Sequence, residues 1–362
     1  LPKTTAEACQ VHPLKGKGEL SHLVEADDWH RMWGLIGGAV ASYNEVFGTR
    51  HASWRDIPGL HVMAWPETQF LVRSGKSFFK SMQFEELHRL QLDLEVLCGP
   101  RSRFPNPAEP QAAIIIAALS DNRGWCELID LREMTETELL RKLVQTIRAK
   151  DPDVIEGHNL LGFDLPYLMR RCERCDVKLA IGRDGSEPTV FKRANSSRMR
   201  SFSAEDIHVF GRHLVDTLPL VQRQDTGKAM ESYSLKAAAI HFGFASADRT
   251  YVAGDEIQGL WRSDPERLLA YARDDVMETE AVARLLTLPL FYQTQMVPMT
   301  YERLIGSGVT TRIEALFMRG HLRVGAAVPV PDPPREYSGG YTHTFLRGML
   351  KNVMYVDVHS LY

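Results

Sequence analysis

Residues 87–175 constrain the fold more than any other stretch, because the hydrophobic period changes there several times within one domain-sized run. From Leu87 to Leu97 the second half alternates apolar and polar side chains, as a half-buried strand does, so Asp93 and Glu95 point to the same side. A proline-rich bend (Pro100, Pro105, Pro107, Pro110) leads into the apolar run from Ala112 to Leu119. The turn Ser120-Asp121-Asn122-Arg123-Gly124 and a strand-like run from Trp125 to Leu131 follow. Thr135 with Glu138 reads as a capping box ahead of Leu139, Leu140, Leu143, Val144 and Ile147, and that spacing predicts a helix ending near Lys150. Asp153 to Glu156 reads as a short buried strand, Gly157 to Asp164 as a loop, and Leu165 to about Cys175 as a helix. A three-strand meander followed by helix, strand and helix specifies an α/β fold with a mixed sheet.

The chain has 362 residues, enough for two or three folding units of ~100–200 residues each. The first ~85 residues mix short apolar runs with turn signals and read as a partial α+β N-terminal domain, residues 1–86. Asp176 to Asp206 is polar, with a basic cluster at Lys192, Arg193, Arg198 and Arg200, and predicts a protruding hairpin or loop. Next come a strand from His208 to Asp216, helical segments at Leu218 to Arg223 and Ser234 to Phe242, and a long amphipathic helix from Pro265 to Leu286. The last is expected to close a middle domain of residues 87–290, with residues 291–336 as a helical linker. Pro329 to Gly340 reads as a connector, and Met354 to Val358 as the first strand of a further unit from residue 337.

No run approaches the ~18 apolar residues that a membrane-spanning helix needs, and the N-terminus lacks the order of a signal peptide. The five cysteines (Cys9, Cys98, Cys126, Cys172, Cys175) are expected as free thiols in a reducing compartment, hence a cytoplasmic location. A net charge of −3 excludes bulk positive charge as a route to nucleic acid and leaves only local patches. A start at Leu1 and a stop at Tyr362, directly after a patterned apolar segment, read as a fragment at both ends.

Four acids stand out: Asp93 and Glu95 on one strand face, Asp164 just before a helix, and Asp275 within the long helix. Tyr271 lies one turn before Asp275 and shares its helix face. Singly they have ordinary readings as a solvated strand face, a helix cap, a surface charge and a core aromatic. Together they could hold two hard divalent ions, Mg²⁺ or Mn²⁺, at the ~3.5–4 Å separation used to cut a phosphodiester.

These residues resemble the DEDDy signature of 3′ to 5′ exonuclease domains, specifically the proofreading domain of family B DNA polymerases. The matches are Asp93-Leu94-Glu95, Gly157-His158-Asn159 with Phe163-Asp164-Leu165-Pro166-Tyr167-Leu168, and Tyr271 with Asp275. Tyr337-Ser338-Gly339-Gly340 resembles the element that links the exonuclease and polymerase parts, and Asp357-Val358-His359-Ser360-Leu361-Tyr362 resembles palm motif A. The resemblance spans roughly residues 70–362, and Val96 departs from the threonine that relatives frequently carry there.

The resemblance implies a ribonuclease-H-like domain over residues 87–290 and the start of a polymerase domain over residues 337–362. It implies Asp93 bridging two ions, Glu95 and Asp275 completing the site of the water-bearing ion, Asp164 serving the second, and Tyr271 orienting water. Asn159 and Phe163, with Tyr337, Gly339 and Gly340, would touch DNA, whether a single-stranded 3′ end or a primer–template. Asp357, Ser360, Leu361 and Tyr362 would serve deoxynucleotide addition in a longer parent, so the fragment alone is expected to hydrolyse and not to polymerise. A bacterial or archaeal parent would be nucleoid-associated, and the motifs name no processivity factor. Two other functions compete: a non-catalytic nucleic-acid-binding scaffold, against which the five intact residues argue, and a free-standing DEDD nuclease, against which the two polymerase elements argue. Cys172 and Cys175 have zinc-like spacing without a second pair, and read as two helix thiols.

Overall fold

The structure, a computed structural model, describes residues 9–99, 104–192, 205–245, 249–254, 256–330, 343–344, 346–349, 351–354 and 356. Tyr337, Gly339, Gly340, Asp357, Ser360, Leu361, Tyr362 and the basic residues Arg193, Arg198 and Arg200 lie outside the described residues. The first described elements are a hairpin of β1 (Cys9–Pro13) and β2 (His22–Ala26), followed by α1 (Trp29–Phe47) and α2 (Pro66–Ser74). The central part contains β3 (Arg89–Val96), β4 (Ile114–Asp121), β5 (Cys126–Asp130), α3 (Glu136–Lys150), β6 (Val154–Gly157) and α4 (Leu165–Arg174). It continues with the hairpin β7 (Thr189–Lys192) and β8 (Glu205–His208), then β9 (His213–Asp216), α5 (Thr217–Gln224), α6 (Leu235–His241) and α7 (Ile257–Ser263). The last described elements are three helices: α8 (Pro265–Thr294), α9 (Tyr301–Gly306) and α10 (Val309–Arg323).

One five-stranded sheet, ordered β5-β4-β3-β6-β9, carries the α/β fold expected from the sequence. The meander β3-β4-β5 is antiparallel, whereas β6 joins β3 and β9 joins β6 in parallel. The Thr135–Glu138 capping box starts α3 as its sequence predicts. The apolar residues of β3 (Leu90, Leu92, Leu94, Val96) pack with the apolar faces of α3 and α4 in the main core. The second face of the sheet meets α8, where Ile115, Ile116 and Ala118 pack on Leu268, Leu269, Ala272 and Val276.

Two expectations are corrected. The strand expected from His208 to Asp216 is two strands separated by a turn, with Val209 and Arg212 bridged and Gly211 in the left-handed region at φ 74°. A Cβ on Gly211 would also meet the Arg183 side chain at 2.9 Å, so only glycine fits the break. The helix expected to stop at Leu286 runs on through Pro289 to Thr294. An internal proline costs a helix about 3 kcal/mol, but the extension buries Phe291 against Phe84, Leu87, Val154, Val215, Tyr301 and Ile305. The middle of the chain therefore shares a core with residues on both sides of it.

The period of two leaves Arg89, Gln91, Asp93 and Glu95 on the α8 side of β3. At one end of this polar seam Arg89 is buried, donates to Glu156 at 3.0 Å and to Glu280 at 2.6 Å, and lies 4.6 Å over the Phe84 ring. Gln91 also donates to Glu156 at 2.7 Å and accepts from Ser120 at 2.9 Å, so the fully buried Glu156 is held from two sides. Removing one member strands a buried charge. Arg89→Met should therefore destabilise the chain by about 3–5 kcal/mol, and adding Glu156→Leu should recover most of that. Urea unfolding decides it: a single-variant loss under about 1 kcal/mol would mean that the pair is not the structural tie described.

His213 packs edge-on against Phe78, Phe79 and Tyr301, and burial first of all pushes its pKa down to about 4. A depressed histidine pKa keeps its stabilising effect above the unfolded value near 6.5 and loses it as pH falls from there towards 4. The gap corresponds to about 3 kcal/mol at most, and less because the ring keeps some solvent contact. Between pH 7.5 and 4.5, unfolding free energies of His213→Phe should fall by about 2 kcal/mol less than those of the unaltered chain; parallel falls would remove His213 from the acid response.

Candidate active site

The opposite end of the seam is all acid. Asp93 and Glu95 reach it from β3, where the register shifts between Glu95 and Val96, a bulge of the kind that re-aims side chains beside functional sites. Asp275 reaches it from α8, and one carboxylate oxygen from each of these three residues lies within 4.8 Å of the others. Glu95 and Asp275 are buried and Asp93 is half-buried.

Asp164 arrives by a different route. The parallel pairing of β6 with β3 covers only Arg89–Gln91. Beyond it the chain turns through Asn159, at φ 71°, into one wide helical turn (Leu160–Asp164) that hands over to α4, with the Leu165 N–H bonded to the Leu160 carbonyl. Wide turns of this kind recur at functional sites. The Asp164 carboxyl is buried and accepts from the backbone N–H of Leu94, between the two acids of β3. It adjoins the cluster electrostatically, sensing Asp93 and being sensed by Glu95, without belonging to the close group of three.

Burial is the first cause that raises the proton affinity of all four carboxyls. Mutual repulsion adds to it: Asp275 acts on Asp93, and Asp93, Asp275 and Asp164 all act on Glu95. Asp275 is partly relieved by Arg249 and by a hydrogen bond from Tyr271. Tyr271 is itself held protonated, first by burial and then by the surrounding acids, so its hydroxyl is a donor.

Arg249 is the residue that sequence reasoning missed. Its guanidinium is almost wholly buried, donates to Asp275 and to Glu278 at 2.5 Å each, and stacks on Tyr251 at 4.8 Å and Tyr271 at 5.7 Å. Lys236 approaches the same two rings at 5.2 and 5.8 Å. Arg249 sits between α6 and α7, far from Asp275 in the chain and in no periodic segment, so nothing local marks it.

Arg249 pairs with Asp275 and Glu278, and among the described residues no ion pair reaches Asp93, Glu95 or Asp164. Hard oxygen donors converging with too little positive charge fit a divalent cation, which prefers such ligands and would offset the repulsion. Among the described residues the cluster holds carboxylates alone: both ring nitrogens of His158 are engaged, by Thr217 at 2.9 Å and the Tyr233 carbonyl at 2.8 Å, and Cys172 on α4 and Cys175 at its C-cap are free thiols. The Asn159 amide oxygen lies 2.3 Å from where a Cβ on Gly162 would stand, so this glycine makes its room. Phe163 is half-buried against Tyr167, with ring centroids 5.3 Å apart, on the edge of the main core.

A family model for the exonuclease domain of DNA polymerase family B matches residues 61–238. A DNA polymerase of Thermococcus sp. (strain 9oN-7) is 29% identical over 303 residues, which covers 77% of this chain and 36% of that protein. A DNA polymerase of Archaeoglobus fulgidus is 28% identical over 284 residues, covering 78% and 33%. This chain thus spans about a third of the length of these relatives. The solved family B DNA polymerase of Pyrobaculum calidifontis superposes with a TM-score of 0.66 at 20% identity, over 92% of this chain and 44% of that one, a likeness of fold. Exonuclease domains of this family use divalent metals, in keeping with the carboxylate cluster. Residues 61–238 thus match the exonuclease domain of DNA polymerase family B, and the chain is homologous to the exonuclease region of these polymerases.

Proposed function

We propose that this chain carries a 3′ to 5′ exonuclease that removes mispaired 3′-terminal nucleotides of DNA, within a longer family B DNA polymerase of the cytoplasm. The observation that carries the proposal is the convergence of Asp93, Glu95 and Asp275, with ligand oxygens within 4.8 Å, beside Asp164. These four side chains would hold two Mg²⁺ or Mn²⁺ ions. When bound, such ions supply the charge that acidifies water and steadies a departing 3′ oxygen.

The chain's own side chains do the rest. Tyr271, protonated and anchored on Asp275, orients the attacking water by hydrogen bonding and does not take its proton. Arg249 holds Asp275 in place while Glu278 holds Arg249. The Asn159 amide and the Phe163 ring, on the turn that delivers Asp164, contact the backbone and the terminal base of a single strand. Tyr337, Gly339 and Gly340 guide DNA towards the polymerase part, where Asp357, Ser360, Leu361 and Tyr362 take part in deoxynucleotide addition.

Single-stranded DNA labelled at its 5′ end, incubated with Mg²⁺ or Mn²⁺, should shorten from the 3′ end with release of nucleoside monophosphates. Asp93→Ala removes a carboxylate central to the cluster and should cost several orders of magnitude in rate. Tyr271→Phe leaves the acids in place and should cost about 10- to 10³-fold. Undiminished digestion by Asp93→Ala would overturn the site. A Tyr271→Phe loss as deep as that of Asp93→Ala, with ion binding unchanged, would make the tyrosine a proton carrier and overturn its orienting role.

A further inference from the structure

A fifth buried carboxyl near the cluster, Asp216, belongs to none of the motifs above. It is the last residue of β9, and the parallel register sets it opposite Gly157, the last residue of β6. From there its two oxygens reach across to the backbone beyond Gly157. Oδ1 accepts the N–H of Asn159 at 2.9 Å and that of Leu218 at 3.0 Å, and Oδ2 accepts the N–H of Leu161 at 3.0 Å. The adjoining Thr217 continues the grip, donating to the Gly157 carbonyl at 3.2 Å and meeting His158 Nδ1 at 2.9 Å.

The backbone so held is the one that needs holding. Asn159 is a non-glycine residue in the left-handed region, a conformation that persists only where its surroundings over-determine it. The wide turn from Leu160 to Asp164 departs from ordinary helical hydrogen bonding. Asp216 is also close enough for its charge to act on Asp164. Capping α5 alone requires only the bond to Leu218; the bonds to Asn159 and Leu161 go beyond it.

We propose that Asp216 is a positioning residue for the exonuclease reaction, its carboxylate fixing the 159–161 backbone and thereby the placement of Asn159, Phe163 and Asp164 against Asp93. The assignment rests on the exonuclease function proposed above. It differs from a purely structural role in what a graded set of caps would do. Asp, Asn and Ser all cap helices well. Asp216→Asn keeps Oδ1 for Asn159 and Leu218 but turns an amide NH₂ towards the Leu161 N–H. Asp216→Ser is too short for the loop and retains only the cap of its own helix.

The three full-length chains are to be compared in thermal melting, in 3′ digestion of single-stranded DNA with Mg²⁺, and in Mn²⁺ binding by electron paramagnetic resonance without DNA. Expected are melting temperatures within a few degrees of one another, and rates lowered about 10-fold in Asp216→Asn and about 100-fold in Asp216→Ser, the scale of a displacement near 1 Å. The weaker of two bound Mn²⁺ ions, the one served by Asp164, should lose at least about tenfold in affinity in Asp216→Ser while the tighter one is retained. Rates within threefold of the unaltered chain, or an equal loss of both ions in step with melting temperature, would overturn the assignment. If Asp216→Ser does not fold, Asp216→Asn decides by the same measurements. If the unaltered chain does not digest DNA, the exonuclease function itself fails, and the Mn²⁺ affinities still judge Asp216.

Discussion

The polar face that β3 turns towards α8 is the constraint on which the rest of the structure depends. A buried strand against a thirty-residue helix would ordinarily be apolar on that side, yet here four alternate residues are Arg89, Gln91, Asp93 and Glu95. The two ends of the seam answer burial in opposite ways. At Arg89, one guanidinium is shared by two carboxylates, and both partners sit on sheet or helix. At Asp93 and Glu95, acids face Asp275, and among the described residues the ion pair to this group comes from Arg249 to Asp275. Buried groups that repel one another raise their own proton affinity and weaken the fold, a pattern expected of functional sites. The compensated end ties β3, β6 and α8 together closely enough for the other end to remain uncompensated.

The sheet topology explains where this cluster sits. Parallel β6 and β9 end together at Gly157 and Asp216, and β3 runs on past them, still paired with β4 but with no strand on its β6 side. The turn from Asn159 to Asp164 fills that gap, so the chain leaving a parallel strand delivers a carboxylate to its neighbour. Sites at the carboxyl ends of sheet strands follow from the same geometry in open α/β folds. What is particular here is the support behind the turn: strained backbone at Asn159, room made by Gly162, and Asp216 with Thr217 gripping from β9.

Much of this was legible in the sequence, for identifiable reasons. The period-two pattern of β3 and the capping box of α3 are local signals, and the structure follows both. The spacing of Tyr271 and Asp275 at one helical turn needed only the helix to be recognised. Where local signals and tertiary contacts disagreed, the sequence misled. Pro289 marks a helix end, but the helix runs on and buries Phe291 in a core built with residues distant in sequence. The apolar His208-Val209-Phe210 run hid a turn that Gly211 makes. α1 has three glycines and only Leu35 fully buried, so no clear apolar stripe announced nineteen residues of helix. Arg249 and Asp216 were invisible for a different reason: their importance lies entirely in which residues they touch across the fold.

The central claim is that the acidic end of the seam is destabilising until divalent cations enter it. Thermal melting of the chain and of Asp93→Asn, each in chelator and in millimolar manganese, tests this directly. The neutral isostere should melt higher than the unaltered chain in chelator at neutral pH, because the Asp93 carboxyl must either keep a buried, repelled charge or take up a proton on folding. Manganese should raise the melting point of the unaltered chain by binding the folded state, about 2.7 kcal/mol at a hundredfold excess over Kd, and should do little for Asp93→Asn. An unaltered chain indifferent to manganese, or an Asp93→Asn variant less stable in chelator, would contradict the account.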